Sequence, residues 1–358
     1  MTEAVASADV AVVGCGVVGL ATAERLVARN LSVVLIDGVG VAAGASGASG
    51  GLVRAFDPAG GSWAARGLEI YLRRGWRGRW PRVRERGSLV LVAADDAERA
   101  AEGVDRLHEA GHSAEILSAP DLHARFPGLS LPADLVGVYE DRAGWLPARD
   151  VTAAMLRDAA SGTITLEAVR ATAVVTSGSR VAGVETTAGR VTARAVLLAA
   201  GAGSTALAAT VGVGLPLWNR AVSYCVFQPR GTGGGDLPVV VDTTTGSWMR
   251  PWDSGTAVLA GVASAMCDVP ASVKPWVSVA EERRVREVVR HRDLRLIDAD
   301  VVGGLTAYDA LASDRRGAVT AWPEPAGLLT ATGWNGGGFK LAPAIGAHAA
   351  TLVRAAIG

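Results

Sequence analysis

Lysine is nearly missing from this chain. Of its 35 basic residues only Lys274 and Lys340 are lysines, and arginine supplies the rest. The formal net charge is zero, which excludes the basic surplus of a dedicated nucleic-acid binder. Cysteine is scarce too: Cys15, Cys225 and Cys267 stand far apart, with no C-x-x-C. An odd, sparse set argues against a disulfide framework and for a reducing compartment. The five histidines are not spaced as ligands beside cysteines or carboxylates, so no metal site is expected. No uninterrupted apolar run approaches the roughly 20 residues of a membrane span. Residues 10–23 are apolar, but Thr2, Glu3 and Asp9 stand where a signal peptide carries basic residues, and three glycines interrupt the run. The expected setting is the cytoplasm.

The length of 358 residues allows roughly two domains. Residues 9–13 read as a buried strand, and Gly14-x-Gly16-x-x-Gly19 follows directly. Residues 17–29 read as a helix with Leu20, Ala23, Leu26 and Val27 on one face; residues 32–36 are a second strand, tipped by Asp37. Strand, glycines, helix, strand and acid in this order make a dinucleotide-binding βαβ unit. Next comes a loop of small residues, 44–54, holding Ser46, Gly47, Gly50, Gly51 and Leu52 and ending in Arg54. It can wrap a pyrophosphate and pass beneath a ring. Near the far end, Gly333-Trp334-Asn335-Gly336-Gly337-Gly338-Phe339-Lys340 puts one of the two lysines beside a triple glycine. Glycines free backbone N–H groups for close approach to a ligand. Pro343 suits the first turn of a closing helix, whose N-terminus favours negative charge. The segment reads as a cradle for an electron-rich ring with an ammonium beside it.

Between these segments the pattern predicts surface helices rich in arginine over 60–85, a strand over 88–92, a helix over 97–110 and a turn-rich connection over 120–132. A helix over 151–160 leads to strands over 164–166, 171–175, 181–186 and 190–192, then a buried strand 194–198 running into Gly201 and Ala202. Antiparallel strands are expected over 217–229 and 239–263, joined by 231–236, and an amphipathic helix over 281–295.

Together these segments resemble the FAD-dependent amino-acid and amine oxidoreductases, the D-amino-acid oxidase, glycine oxidase and sarcosine oxidase superfamily. The resemblance is carried by residues 13–19, Asp37, 44–54, 195–204 and 332–346. It implies an α/β fold with a discontinuous Rossmann-like FAD-binding domain, about 1–85, 145–215 and 295–358. Interleaved with it would be a substrate domain on a mainly antiparallel sheet, about 86–144 and 216–294. It implies that Gly14, Gly16 and Gly19 approach the pyrophosphate of FAD and Asp37 binds the ribose. Ser46, Gly47, Gly50, Gly51 and Leu52 would line pyrophosphate and flavin, Ala171 would sit near adenine, and Gly201 and Ala202 would touch cofactor. Gly336, Gly337, Gly338, Phe339 and Lys340 would lie along the flavin's pyrimidine edge. Arg54 and Lys340 fall where the sarcosine oxidase branch grips a substrate carboxylate, and Tyr308 where it has an active-site tyrosine. Tyr224, Trp252 and Trp334 are candidate pocket walls.

Two departures qualify the resemblance. Thr306 stands where that branch tethers its flavin through cysteine, so the FAD is expected to be non-covalent. Residues 257–261 hold no lysine where the branch activates oxygen, and Gly47 and Gly51 replace histidine and arginine partners. The activity implied is oxidation of a C–N bond in an amino acid or secondary amine carrying a carboxylate, with O2 or another acceptor taking the electrons. A biosynthetic oxidation of a cyclic or aromatic, indole-like amino-acid derivative is the alternative. A flavin-binding subunit inert without a partner is the alternative of another class. Neither nucleic acid nor membrane is expected as a partner, and the oligomeric state stays open.

Overall fold

The computed structural model describes residues 4–231, 237–252, 256–313 and 317–358. The connection expected at 231–236 lies, apart from Gly231, outside the described residues.

The first sheet is built around the strand Ala4–Val13. It pairs in parallel with Val33–Ile36 on one side and Gly189–Leu198 on the other, and Val33–Ile36 pairs in parallel with Thr163–Leu166. The strand Leu328–Thr332 extends the far side in parallel, and Ala171–Ser177 and Arg180–Thr186 add an antiparallel flap. Parallel strands buried on both faces read as continuous apolar runs. The two faces separate by alternation. Val10, Val12, Leu35 and Leu197 pack beneath the helices Val17–Val27, Ala148–Ala159 and Gly338–Ile357. Ala11, Val13, Val34, Ile36 and Leu198 pack on the other side with the short helix Ser204–Ala209. Gly346 lets the first and last of the three large helices touch: a Cβ there would lie 2.5 Å from the Ala21 backbone.

Among the described residues the second sheet has eight strands. In spatial order they are Asp300–Ala312, Leu217–Gln228, Ala257–Cys267, Ser247–Trp252, Val239–Asp242, Ser88–Ala93, Leu135–Glu140 and Glu115–Leu117. All neighbours are antiparallel except Val239–Asp242 beside Ser88–Ala93. Its outer face carries a separate core, with Leu89, Leu91, Phe227 and Val258 packed with Leu122 and with Val285 and Val289 of the helix Val279–Val289. A three-stranded patch, Leu52–Val53, Gly144–Trp145 and Arg84–Glu85, ties the small-residue loop to the rest of the chain.

Several elements differ from the sequence reading. The connection at 120–132 contains a helix, Ala119–Arg125, because Ser118 and Asp121 form a capping box and Pro120 sits in the first turn. Residues 190–192 and 194–198 are one strand, Gly189–Leu198. The helix expected over 281–295 is shorter, Val279–Val289. Asp300–Ala312 is the edge strand of the second sheet, pairing along its length with Leu217–Gln228, whereas the boundary drawn at 295 groups it with the first. The C-terminal helix begins at Gly338, so Pro343 lies in its second turn rather than its first.

Candidate active site

A cleft of about 1100 Å³ is lined by the C-terminal ends of the first sheet and the inner face of the second. Ligands of open α/β sheets bind at such strand ends. The topology puts Val13, Ile36 and Ala331 on one wall and Val222, Tyr224, Trp248 and Tyr308 on the other.

At one end the βαβ turn opens onto the cleft. Gly14 has φ +106°, and a Cβ there would sit 2.5 Å from the Ala199 carbonyl oxygen, so the turn admits only glycine. Gly16 caps the helix Val17–Val27, which has no acidic residue in its first turn. Its leading amide, Val17 N–H, donates to Ser46 Oγ at 2.9 Å, so the small-residue loop covers the positive end of the helix. Asp37 accepts hydrogen bonds from the amides of Cys15, Val39 and Gly40 at 2.9–3.0 Å. Those bonds fix its carboxylate at the cleft wall.

Of the residues singled out from sequence, the cleft gathers Gly14, Gly16, Asp37, Ser46, Gly50, Leu52, Arg54, Ala171, Gly201, Tyr308 and the whole run from Gly336 to Lys340. Gly19, Gly47, Gly51 and Ala202 are not on its wall. Gly19 faces the Gly14 carbonyl, Gly47 the Ala42 carbonyl, and Gly51 the Leu146 carbonyl, each too close for a Cβ. These three are glycine because backbone meets backbone there, which also explains why no histidine or arginine occupies 47 or 51. Ala202 is the middle of the 3-10 turn Gly201–Gly203, and only its neighbours face the cleft.

The far end is cationic. Arg54 follows the strand Leu52–Val53 and is 9% exposed; its Nε is buried with no hydrogen-bond partner among the described residues. Lys340, in the first turn of the C-terminal helix, pairs with Asp57 at 3.0 Å. Burial pushes the Lys340 ammonium down, Arg54 pushes it further, and Asp57 offsets part of this. Burial acts to raise the Asp57 carboxyl, but Lys340 and Arg54 overcome it and hold the group below the usual range. The two carboxylate-gripping candidates therefore differ: Lys340 is neutralised, and Arg54 has donors to spare.

Tyr308 lines the cleft but stands apart in its contacts. A Cβ on Gly44 would lie 2.8 Å from its hydroxyl, and the Ala45 amide donates to it. It braces the small-residue loop. Of the expected walls, Tyr224 and Trp334 face the cleft and Trp252 does not; Trp252 packs with Arg250 and Leu259. Thr306 bonds to Trp276 and Ser223 rather than facing the cleft.

Four contributors were not legible. Trp248 stacks edge-on with Tyr224 at 5.8 Å and lies between Gly50 and Gly261, where a Cβ would come within 2.8 and 2.7 Å of its indole. It fills the space a longer side chain at 261 would need. Asp309 and Arg220 form a 3.9 Å pair on the cleft wall, and burial raises the Asp309 carboxyl to about 6 against the pull of Arg220. Asp57 backs Lys340. The tryptophan pattern 248–252 was the one available signal; the others are isolated charged residues with no motif. Buried donors without partners among the described residues converge on this cleft: Arg54 Nε, Arg220 Nε, Trp334 Nε1 and Asn335 Nδ2. Each is a buried donor left unbonded on a residue of the cleft wall, and such a donor costs its desolvation.

Among the described residues, no group of three or more His, Cys, Asp or Glu side chains could hold a metal ion, and no helix is long and apolar enough to cross a membrane.

Comparison with known proteins follows the same geometry. The fold is similar to that of glycine oxidase from Geobacillus kaustophilus (22% identity, 98% of this chain and 95% of that one, TM-score 0.83). It is similar to L-proline dehydrogenase from P. horikoshii (19%, 97% and 93%, TM-score 0.86). It is also similar to L-amino acid deaminase from Proteus myxofaciens, solved with anthranilate (20%, 99% and 92%, TM-score 0.80). No curated protein sequence matches. The family model described as DAO, FAD dependent oxidoreductase, matches residues 9–352. The chain belongs to that family of FAD-dependent oxidoreductases.

Proposed function

We propose that this chain oxidises a C–N bond in an amino acid or secondary amine that carries a carboxylate. The observation that carries the reading is Arg54: a nearly buried guanidinium, unpaired at Nε, on the wall of a cleft whose nearest ammonium is already neutralised. A buried cation with free donors is complementary to a carboxylate. The cleft also fits FAD, because its wall joins the glycine turn 14–16 and Ser46 at the start of a helix, the carboxylate Asp37 and the glycines 336–338. Gly14, Gly16, Ser46 and Gly201 would hold the pyrophosphate, Asp37 the ribose, Ala171 the adenine end, and Gly50, Leu52 and Gly336 to Lys340 the ring. When bound, FAD would supply the two-electron oxidant for the carbon next to nitrogen, with O2 or another acceptor as the final electron sink. Residues 1–85, 145–215 and 313–358 would form the FAD-binding unit, with the second sheet as the substrate unit.

The chain's own share is positioning. Arg54 would fix the carboxylate and so orient the reacting C–H, and orientation supplies much of the rate. Lys340, paired with Asp57, would leave Arg54 as the net positive charge of that corner. Tyr308 would hold the loop 44–45 in place. With no cysteine on the wall and Thr306 turned away, the FAD would be non-covalent; yellow colour should leave the protein on acid precipitation. Trp248 and Tyr224 on the wall favour a second reading for the substrate, an aromatic or cyclic amino acid, which stacking would select.

The test is anaerobic reduction of the purified yellow protein with a panel of amino and N-alkyl acids, each beside its amide. Acids should bleach the flavin and amides should not. Arg54→Met should raise KM for the acid roughly 10- to 100-fold, the worth of a lost charge-assisted bond of about 1.5–3 kcal/mol. Equal bleaching by acid and amide would sink the proposal.

A further inference from the structure

Glu140 ends the strand Leu135–Glu140 and is 2% exposed. Such a buried carboxylate is costly unless it is well bonded. Its partners are two consecutive amides: Oε1 accepts from Ala55 N–H at 2.7 Å and Oε2 from Phe56 N–H at 3.0 Å. These are the two residues directly after Arg54. The two residues before it, Leu52 and Val53, are laddered to Trp145 and Gly144. Arg54 is therefore clamped on both sides, by a strand pair before it and by a carboxylate after it.

The choice of acceptor has a consequence. A glutamine could serve one amide through its oxygen but would point an NH2 group at the other. Only a carboxylate offers two acceptors in this geometry. Its oxygens are spent on backbone, and Asp57 is spent on Lys340. Neither of the two acids near Arg54 consumes its donors.

We infer that Glu140 is the positioning residue for the carboxylate-binding Arg54: ionised, it locks the Ala55 and Phe56 amides and keeps the guanidinium aimed into the cleft; protonated, it releases one amide and weakens anion binding. The inference rests on the function proposed above. Burial pushes the Glu140 carboxyl up to about 7, against the two amide bonds and the charge of Arg54, with Asp141 adding a small upward push. Arg54 and Asp141 are the charged groups acting directly on it, with Asp57 and Lys340 beyond Arg54. The switch thus falls in the neutral range, and carboxylate binding should weaken as pH drops below about 7.

The experiment titrates the FAD-loaded protein with propionate, benzoate and anthranilate, and with anthranilamide as the uncharged control. Flavin absorbance is followed at half-unit steps from pH 6 to 8.5. Wild type should bind the acids more weakly as pH falls through 7, while anthranilamide shows no pH dependence. Glu140→Gln should raise Kd for the acids about tenfold at pH 8, remove the pH dependence and leave anthranilamide binding unchanged. Glu140→Asp, which keeps the charge, should recover part of the pH dependence. Glu140→Gln binding the acids with wild-type affinity and pH profile overturns the inference; should that variant fail to retain FAD, wild-type binding of the acids that does not weaken below pH 7 overturns it. Loss of anthranilamide binding in step with the acids also overturns it, because a collapsed pocket rather than a misplaced cation is then responsible. Failure of the underlying reading looks different: wild type and Arg54→Met bind the acids equally, or no acid perturbs the wild-type flavin.

Discussion

Asp57 decides what kind of residue Lys340 is. Two cations side by side in a half-dry corner repel, and the structure answers by giving one of them a counter-ion with both side chains largely buried, 11% and 14% exposed. Removing the acid alone leaves Lys340 buried beside Arg54, the arrangement in which breaking a pair costs about 3–5 kcal/mol. Asp57→Asn should therefore lose that much in urea unfolding at pH 7. Asp57→Asn with Lys340→Met should recover most of it, because no uncompensated charge remains. If the single and double variants unfold at the same urea concentration, Lys340 is not held by Asp57. The same residue explains a limit of the motif. A lysine beside a triple glycine reads as a free ammonium from sequence, and only the folded chain brings in the carboxylate that neutralises it.

The C-terminal helix shows how one element accommodates a break. Pro343 lies within Gly338–Ile357 and has no N–H for the carbonyl of Phe339, four residues back. That carbonyl instead accepts the Tyr71 hydroxyl at 2.7 Å, from a side chain that is 1% exposed and stacked on the Phe339 ring. Tyr71→Phe should cost about 1–3 kcal/mol, the desolvation of an orphaned acceptor. In a Pro343→Ala background the helix regains its own N–H donor, and the Tyr71→Phe cost should shrink by half or more. Equal costs in both backgrounds, read by denaturant unfolding, would rule out the substitution of one donor for another. Such pairings mark what sequence could and could not show. The turn 14–19, Asp37, the loop ending in Arg54 and the glycines before Lys340 were legible, because each is a local pattern whose chemistry sits in consecutive residues. Asp300–Ala312 was not, since an edge strand with Gly303, Gly304 and an exposed Val302 has neither alternation nor a continuous apolar run. Glu140 was not, because its partners are 84 and 85 residues away. Trp248 could be suspected only from the tryptophans around Arg250. Gly47 and Gly51 were assigned to the ligand because loop glycines look alike until the opposing backbone is known.

The whole molecule has zero net charge and a pI near 7.0. Self-repulsion is weakest there, which taken alone places maximal stability near neutrality. Two acids, one buried and one half-buried, act in the opposite direction. Glu140 is raised from an ordinary 4.5 to about 7 and Asp309 from 3.8 to about 6, burial being the first cause in both. An acid whose folded pKa is raised holds its proton longer folded than unfolded. Its contribution to stability is complete below the unfolded value, erodes as pH rises, and is gone above the folded value. Each group can contribute a slope of up to about 1.4 kcal/mol per pH unit within its window. Stability should therefore peak near pH 4, fall between about pH 4 and 7, and level off above. Asp57, held below its usual range, acts at the other end: its contribution is present above about 3.8 and lost as pH falls below that. Thermal midpoints at saturating FAD and one scan rate, taken from pH 3 to 8, should trace this asymmetric dome. Glu140→Gln with Asp309→Asn should flatten the side between about pH 4 and 7 by removing both titrations. A wild-type midpoint that rises from pH 5 to 7 would show that neither carboxyl is desolvated in the folded chain. The molecule's charge balance, rather than these two acids, would then set its stability.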